Sequence, residues 1–191
     1  MPPSAEEIDR LWKLYDEAEN YIAEISSLWV GLDTTAINQL RYAGRHLLNA
    51  LSGKTSITPE EEFRRAEAHA KRALFDALDS GIIYCLRRVE IFKDDYRKIE
   101  ITCPGYDRII ASAREAKHLL DKARTEFDSR HEYYEEARTH YRKLKEICDT
   151  LDDARPEQNK RLRNHNLLLF LSWATLFFTV ASVVLGAMAL R

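Results

Sequence analysis

Two short elements carry the residue types needed for acid–base work on a phosphate. Arg41-Tyr-Ala-Gly-Arg-His46 and Arg64-Arg-Ala-Glu-Ala-His69 both read Arg-x4-His. An imidazole moves a proton near neutral pH. A guanidinium holds a phosphate through two parallel hydrogen bonds. Two of each, gathered in one place, suit cleavage of RNA without a metal. Arg41, His46, Arg64 and His69 are therefore the candidate catalytic residues. Neither element is a site alone, because Arg41 and His46 stand about 140° apart around a helix axis. A competing reading is a salt-bridged helical hairpin, in which Glu60, Glu62, Glu67 and Asp76 satisfy the basic residues.

Little else in the chain suggests catalysis. No P-loop, GxGxxG, GxSxG, HExxH or EF-hand motif occurs. The three cysteines, Cys85, Cys103 and Cys148, are widely spaced and form no CxxC. A zinc site or disulfide framework is not expected, and a reducing compartment fits. No cofactor and no metal are implied. Arg130-His131 and Thr139-His140 read as solvated helix surface. Tyr133, Tyr134 and Tyr141 read as an exposed face on which a cytoplasmic protein could dock.

The elements that must position these residues are helices, since no stretch alternates with period 2. Ser4 and Glu7 form a capping box for a first helix, whose apolar face is Ile8, Leu11, Trp12, Tyr15, Ala18, Ile22, Ile25 and Trp29. A second helix runs from about Thr35 to Leu51. Thr58 caps a third, with Pro59 at its first position and Glu61 completing the box. This third helix is expected to reach about Ile101. Antiparallel pairing about a turn near Thr55 would set Arg41 opposite His69 and Arg64 opposite His46. A fourth helix, Tyr106 to Asp153, shows a heptad pattern. Its a positions are Ala113, Leu120, Phe127, Tyr134, Tyr141 and Cys148, and its d positions are Ala116, Ala123, Arg130, Ala137, Leu144 and Leu151. Packed against the third, it predicts a long antiparallel hairpin. The fold expected is all-α: an elongated helical bundle with that hairpin and one C-terminal transmembrane helix.

Pro156 is expected to end the fourth helix. The segment Leu167 to Leu190 then runs 24 residues without a charge. As a helix it would cover about 36 Å, enough for a hydrocarbon core of about 30 Å. Lys160, Arg161, Arg163 and His165 precede it, so the positive-inside rule puts the preceding residues in the cytoplasm. The organisation expected is a cytoplasmic helical domain over 1–155, a basic juxtamembrane linker over 156–166 and a tail anchor over 167–190, with a bacterial inner membrane favoured. The N-terminus has no basic and no apolar region of a signal peptide. Ser172, Thr175, Thr179, Ser182, Gly186 and Ala189 recur at spacings of 3 and 4, a stripe of small residues on one helix face. Such stripes let helices approach closely in lipid or line a water-filled pore.

Composition agrees with this division. The chain has 191 residues, 31 % of them charged, with 29 Lys+Arg against 31 Asp+Glu and a net charge of -2. That balance does not favour nucleic acid as a default partner, and DNA is not expected. The uncharged stretch excludes a wholly soluble protein. The Arg-x4-His elements resemble the R-x4-6-H signature of HEPN ribonuclease domains. That resemblance implies a helical bundle that dimerises to complete a composite site. Together with the single membrane segment, the architecture looks like the accessory membrane proteins of type VI-B CRISPR systems. It is also similar in outline to abortive-infection membrane effectors. The function expected is an oligomeric membrane effector in antiviral defence, pore-forming or membrane-perturbing. The alternatives are a membrane-tethered HEPN-like endoribonuclease and a coiled-coil tether or adaptor. The expected partners are the membrane, further copies of the chain, and either a cytoplasmic protein or RNA. An enzyme is the less favoured class.

Overall fold

The computed structural model describes residues 3–28, 34–126 and 128–189. They form five helices and no strand: α1 (Ala5–Leu28), α2 (Thr34–Ser52), α3 (Pro59–Asp95), α4 (Tyr106–Thr125) and α5 (Tyr134–Ala189), with a 3-10 turn at Arg130–Tyr133. The all-α expectation holds. The capping box at α1 is present. Ser4 Oγ accepts from the Glu7 amide at 3.3 Å, and the Glu7 carboxylate accepts from the Ser4 amide at 2.8 Å. At α3, Thr58 accepts from the Glu61 amide at 3.3 Å, while the Glu61 carboxylate is held by Arg64 and Arg65.

α3 is the axis of the bundle. Its buried face runs from Phe63 to Phe92, and all four other helices lie against it. Ion pairs and rings give their directions. α2 and α4 run antiparallel to α3, joined by His46–Glu62 and by Arg124–Asp79. α1 and α5 run parallel to it, joined by Arg10–Glu67 and by Arg155–Asp95. α1, α3 and α5 meet at Gly81. A Cβ there would lie 2.6 Å from Tyr141 Cε2 and 2.8 Å from Ile25 Cδ1, so only glycine permits the approach. The core is two clusters along α3, the first of them around Gly81. Leu74, Leu78, Ile82, Tyr141 and Leu144 fill one part, and Phe92, Tyr96, Ile109 and Leu151 fill the other.

The predicted fourth helix is two helices. α4 carries buried Ala116, Leu120 and Ala123 down one side of α3, and the chain then reverses. α5 carries buried Ala137, Tyr141, Leu144, Cys148 and Leu151 back along another side. Both halves keep the heptad pattern because both pack into the same helix. The break falls around the polar d position, Arg130. Its guanidinium turns into α3 and holds both carboxylate oxygens of Asp76, at 3.1 and 3.4 Å. The a position Phe127 lies outside the described residues. The antiparallel hairpin is therefore formed by α3 and α4, shorter than the pattern predicts, and α3 itself stops at Asp95 rather than near Ile101.

Pro156 does not end a helix. α5 runs unbroken for 56 residues, about 84 Å at the usual rise, from the bundle through residues 156–166 into the apolar segment. Proline removes one backbone donor and crowds the preceding turn. Packing on both sides of it holds the helix together. Leu151 is buried before it, and Gln158 is buried after it with Nε2 donating to Thr102 Oγ1 at 3.1 Å. The Tyr96 hydroxyl donates to Asn159 Oδ1 at 2.8 Å.

Candidate functional site

α2 and α3 bring the two histidines together. The rings of His46 and His69 are stacked, with centroids 5.2 Å apart and planes 10° apart. Tyr42 extends the row, 5.5 Å from His69. Each imidazole is fixed through Nδ1. His46 Nδ1 lies 2.5 Å from Glu62 Oε2, and His69 Nδ1 lies 2.7 Å from Gln39 Oε1. With Nδ1 donating to these oxygens, Nε2 is the ring atom left for proton transfer in both residues. Glu62 is buried, and Asn49 Nδ2 donates to its other oxygen at 3.4 Å.

The electrostatics of the row are uneven. The hydrogen bond from His46 holds the Glu62 carboxyl below the usual carboxylate range, against its burial. Burial pushes His69 down to about 4, and the charges of Arg72 and His46 push the same way. His69 is therefore neutral at pH 7 and can accept a proton, while His46 leans on a carboxylate.

The arginines are not gathered with them. Arg64 points outward, with its side chain 73 % exposed and its Nε and Nη2 donating to the Glu61 carboxylate at 2.9 Å. Arg41 is exposed and lies over the ring of its neighbour Tyr42, 5.7 Å from the centroid. The expected facing pairs Arg41–His69 and Arg64–His46 are replaced by Gln39–His69 and Glu62–His46. The antiparallel pairing is as the turn near Thr55 suggests, but the register differs by two residues. That shift puts Gln39 and Glu62, rather than arginines, at the imidazoles. Glu62 appears in the sequence reading only as a general counter-charge, and Gln39, Asn49 and Tyr42 do not appear as site residues. Only the exact register could have singled them out.

Two surface expectations change. Arg130 and His131 are not solvated, having side chains only 13 % and 15 % exposed, because the turn they occupy packs on α3 beside Asp76. Tyr141 is not part of a docking face. It is buried, its hydroxyl donates to Glu24 Oε1 at 2.7 Å, and its ring meets Tyr21 edge-on at 5.7 Å. Tyr133 and Tyr134 are half-buried, under Lys122 and Arg138 respectively. A groove of about 530 Å³ lies between α3 and α4, lined by Leu86 and Ile110 and by charges of both signs, Arg87, Glu90, Arg114 and Asp121 among them. Among the described residues, no group of three His, Cys, Asp or Glu side chains is placed to hold a metal.

In the apolar segment, the hydroxyls of Ser172, Thr175, Thr179 and Ser182 donate to the carbonyls of Leu168, Leu171, Thr175 and Phe178 at 2.8–2.9 Å. Gly186 and Ala189 continue the helix, but their side chains lie outside the described ones. Among the described helices, α5 alone has a stretch long and apolar enough to cross a membrane. Comparison with known protein families, with curated proteins and with solved structures finds no match to this chain.

Proposed function

We propose that the protein is a single-pass membrane effector whose cytoplasmic bundle is rigidly coupled to a self-associating span. The observation that carries this reading is the unbroken α5. One helix contributes Tyr141, Leu144 and Leu151 to the bundle core and, further along, an apolar stretch left uncovered among the described residues. Phe170, Trp173, Phe177 and Phe178 are all exposed there. A bare apolar surface of this extent calls for lipid or another helix. The hydroxyl stripe satisfies its own donors along the helix, so it can enter lipid without an unpaired group. Its small side chains then permit close helix–helix approach. Because α5 has no break at Pro156, a rearrangement of the bundle would be passed to the span as a tilt or rotation of one rod.

The test is the association state of the full chain in mild detergent, by light scattering after gel filtration. A multimer is expected, and Thr175→Leu with Ser182→Leu should shift it toward monomer. A monomeric wild type at micromolar concentration removes the self-association. Membrane action is read separately, as depolarisation of cells producing the protein. Loss of that depolarisation in the same double variant supports an effector acting through an assembled span. Unchanged potential leaves a tether or adaptor.

A second reading, a HEPN-like ribonuclease, is favoured by one feature: two stacked imidazoles with unlike partners, one beside a carboxylate and one kept neutral. Such pairs suit general acid and base roles. Against it, the arginines that would grip phosphate are turned away. Metal-independent cleavage of single-stranded RNA by the full chain, abolished in His46→Ala and in His69→Ala, would establish it. Equal activity in wild type and both variants assigns the cleavage to a contaminant.

A further inference from the structure

The end of the bundle nearest the apolar segment carries a second cavity, unrelated to the histidine row. After α3 stops, Tyr96–Thr102 folds back against α5. Ile99 and Ile101 pack beside Tyr96, with Leu162 of α5 on the same cluster. Between this loop and α5 lies a cavity of about 500 Å³. Arg161, Asn164, His165 and Leu168 line it from α5, at positions i, i+3, i+4 and i+7 and so on one face of the helix. Lys98 and Glu100 line it from the loop.

Arg161 is held in place. Its Nη1 donates to Thr102 Oγ1 at 2.7 Å and to the Glu100 carbonyl at 3.3 Å. Thr102 is held in turn by Gln158. A guanidinium has five donors, so the remaining edge of Arg161 can serve a ligand. Lys98 and Arg161 outweigh the single carboxylate of Glu100, and the Asn164 amide adds a neutral donor. The wall changes character along its length, from cationic at Arg161 to apolar at Leu168.

The depth of the cavity decides the ligand class. Leu167 begins the uncharged stretch, and Arg161 stands about 9 Å above it along the helix. The headgroup layer of a bilayer is about 5–8 Å thick on each side. With α5 embedded, Arg161 stands at the outer edge of the headgroup layer, Asn164 and His165 lie within it, and Leu168 lies at the top of the acyl chains. We propose that this cavity binds the phosphate headgroup of an anionic phospholipid, with Lys98 and Arg161 on the phosphate and Leu168 against the first methylenes. The inference rests on the membrane reading of α5. It adds a lipid-specific latch that ties the loop after α3 to the membrane surface.

The experiment uses the full chain in nanodiscs of mixed phosphatidylcholine and phosphatidylglycerol, with retained lipids counted by native mass spectrometry. Retention of phosphatidylglycerol is expected, at a preference of roughly tenfold over phosphatidylcholine. Lys98→Gln with Arg161→Gln should abolish the preference, and Asn164→Leu, which spares the Arg161–Thr102 bond, should weaken it. Arg163→Gln, on a different face, should leave it unchanged. Equal loss in Arg163→Gln, or full preference in the double variant, overturns the site in favour of general surface charge. Displacement of the lipid by millimolar inorganic phosphate also overturns it, assigning the cavity to a soluble anion. Extraction of the wild type from pure phosphatidylcholine vesicles by alkaline carbonate would instead overturn the membrane reading, and the latch with it.

Discussion

The two halves of α5 meet different surroundings on one continuous helix. From Tyr134 to Leu162 its buried residues form a narrow stripe, and the rest of its circumference carries Glu, Arg and Lys. From Leu167 to the end of α5 charge is absent, and exposed large apolar side chains stand on the faces beside the stripe of small residues. The first pattern gains stability by removing one face from water. The second cannot do so within a single chain, and it fits a surrounding that is apolar on all sides. Identical backbone geometry thus serves two purposes, and the side-chain distribution alone distinguishes them.

Replacing one phenylalanine of the bundle core, Phe92 on α3, and one of the apolar half of α5, Phe177, should show this contrast most clearly. Phe92 is fully buried between Tyr96 and Tyr106. Phe92→Ala should cost about 3–5 kcal/mol of bundle stability, read by urea unfolding in detergent. Phe177 is 70 % exposed. Phe177→Ala should leave the same transition within about 0.5 kcal/mol. Phe177→Asp should spare the bundle but reduce membrane retention, since an acidic residue near a span centre costs about 3 kcal/mol.

The next largest effect tests how tightly α5 is seated. Gly81→Ala forces a methyl group against Tyr141 and Ile25. Both neighbours are buried ring or branched side chains with little room to move, so overpacking should cost about 1–3 kcal/mol. The loss should be smaller in Gly81→Ala with Ile25→Val than the two separate changes sum to, because they share one contact.

The helices, their caps and the uncharged segment were legible in the sequence because each rests on local spacing. The fold of the heptad region was not. A stripe that stays in phase across Glu126–Arg130 looks like one helix, and only the need of Asp76 for a partner marks the reversal. Pro156 misled for a related reason. Its local penalty is real, but Leu151, Gln158 and Asn159 are anchored on either side of it by distant residues. At the histidine row, residue types pointed to the right pair of helices. A two-residue change of register then exchanged arginine partners for Gln39 and Glu62, and no periodicity argument resolves a shift that small.

Acid should expose the histidine row before it unfolds the rest. The ordinary histidine value is 6.5, and His69 is lowered to about 4. A group with a depressed value binds fewer protons folded than unfolded, so stability falls as pH drops from about 6.5 to 4. The loss between pH 7 and pH 5 should be about 1–2 kcal/mol, allowing for partial solvent screening. Glu62, also lowered, adds its own loss only below the carboxylate range. His69→Gln should flatten the slope between pH 7 and pH 5 while leaving the steeper fall at lower pH. An unchanged slope would mean that His69 protonates freely in the folded chain.

The smallest effect concerns a second helical glycine and has the opposite sign. Gly44 lies inside α2, and nothing stands within 4 Å of where its Cβ would be. Glycine in a helix interior is less favourable than alanine by about 0.5–1 kcal/mol, because the unfolded chain loses more freedom on folding. Gly44→Ala should therefore raise stability by about that amount, where Gly81→Ala lowers it. The histidine row supplies the control. Gly44 lies two residues from both Tyr42 and His46, yet the added methyl meets neither, so the pH slope assigned to His69 should be unchanged. A destabilised Gly44→Ala, or an altered slope, would mean that α2 sits closer to α3 than the stacked rings indicate.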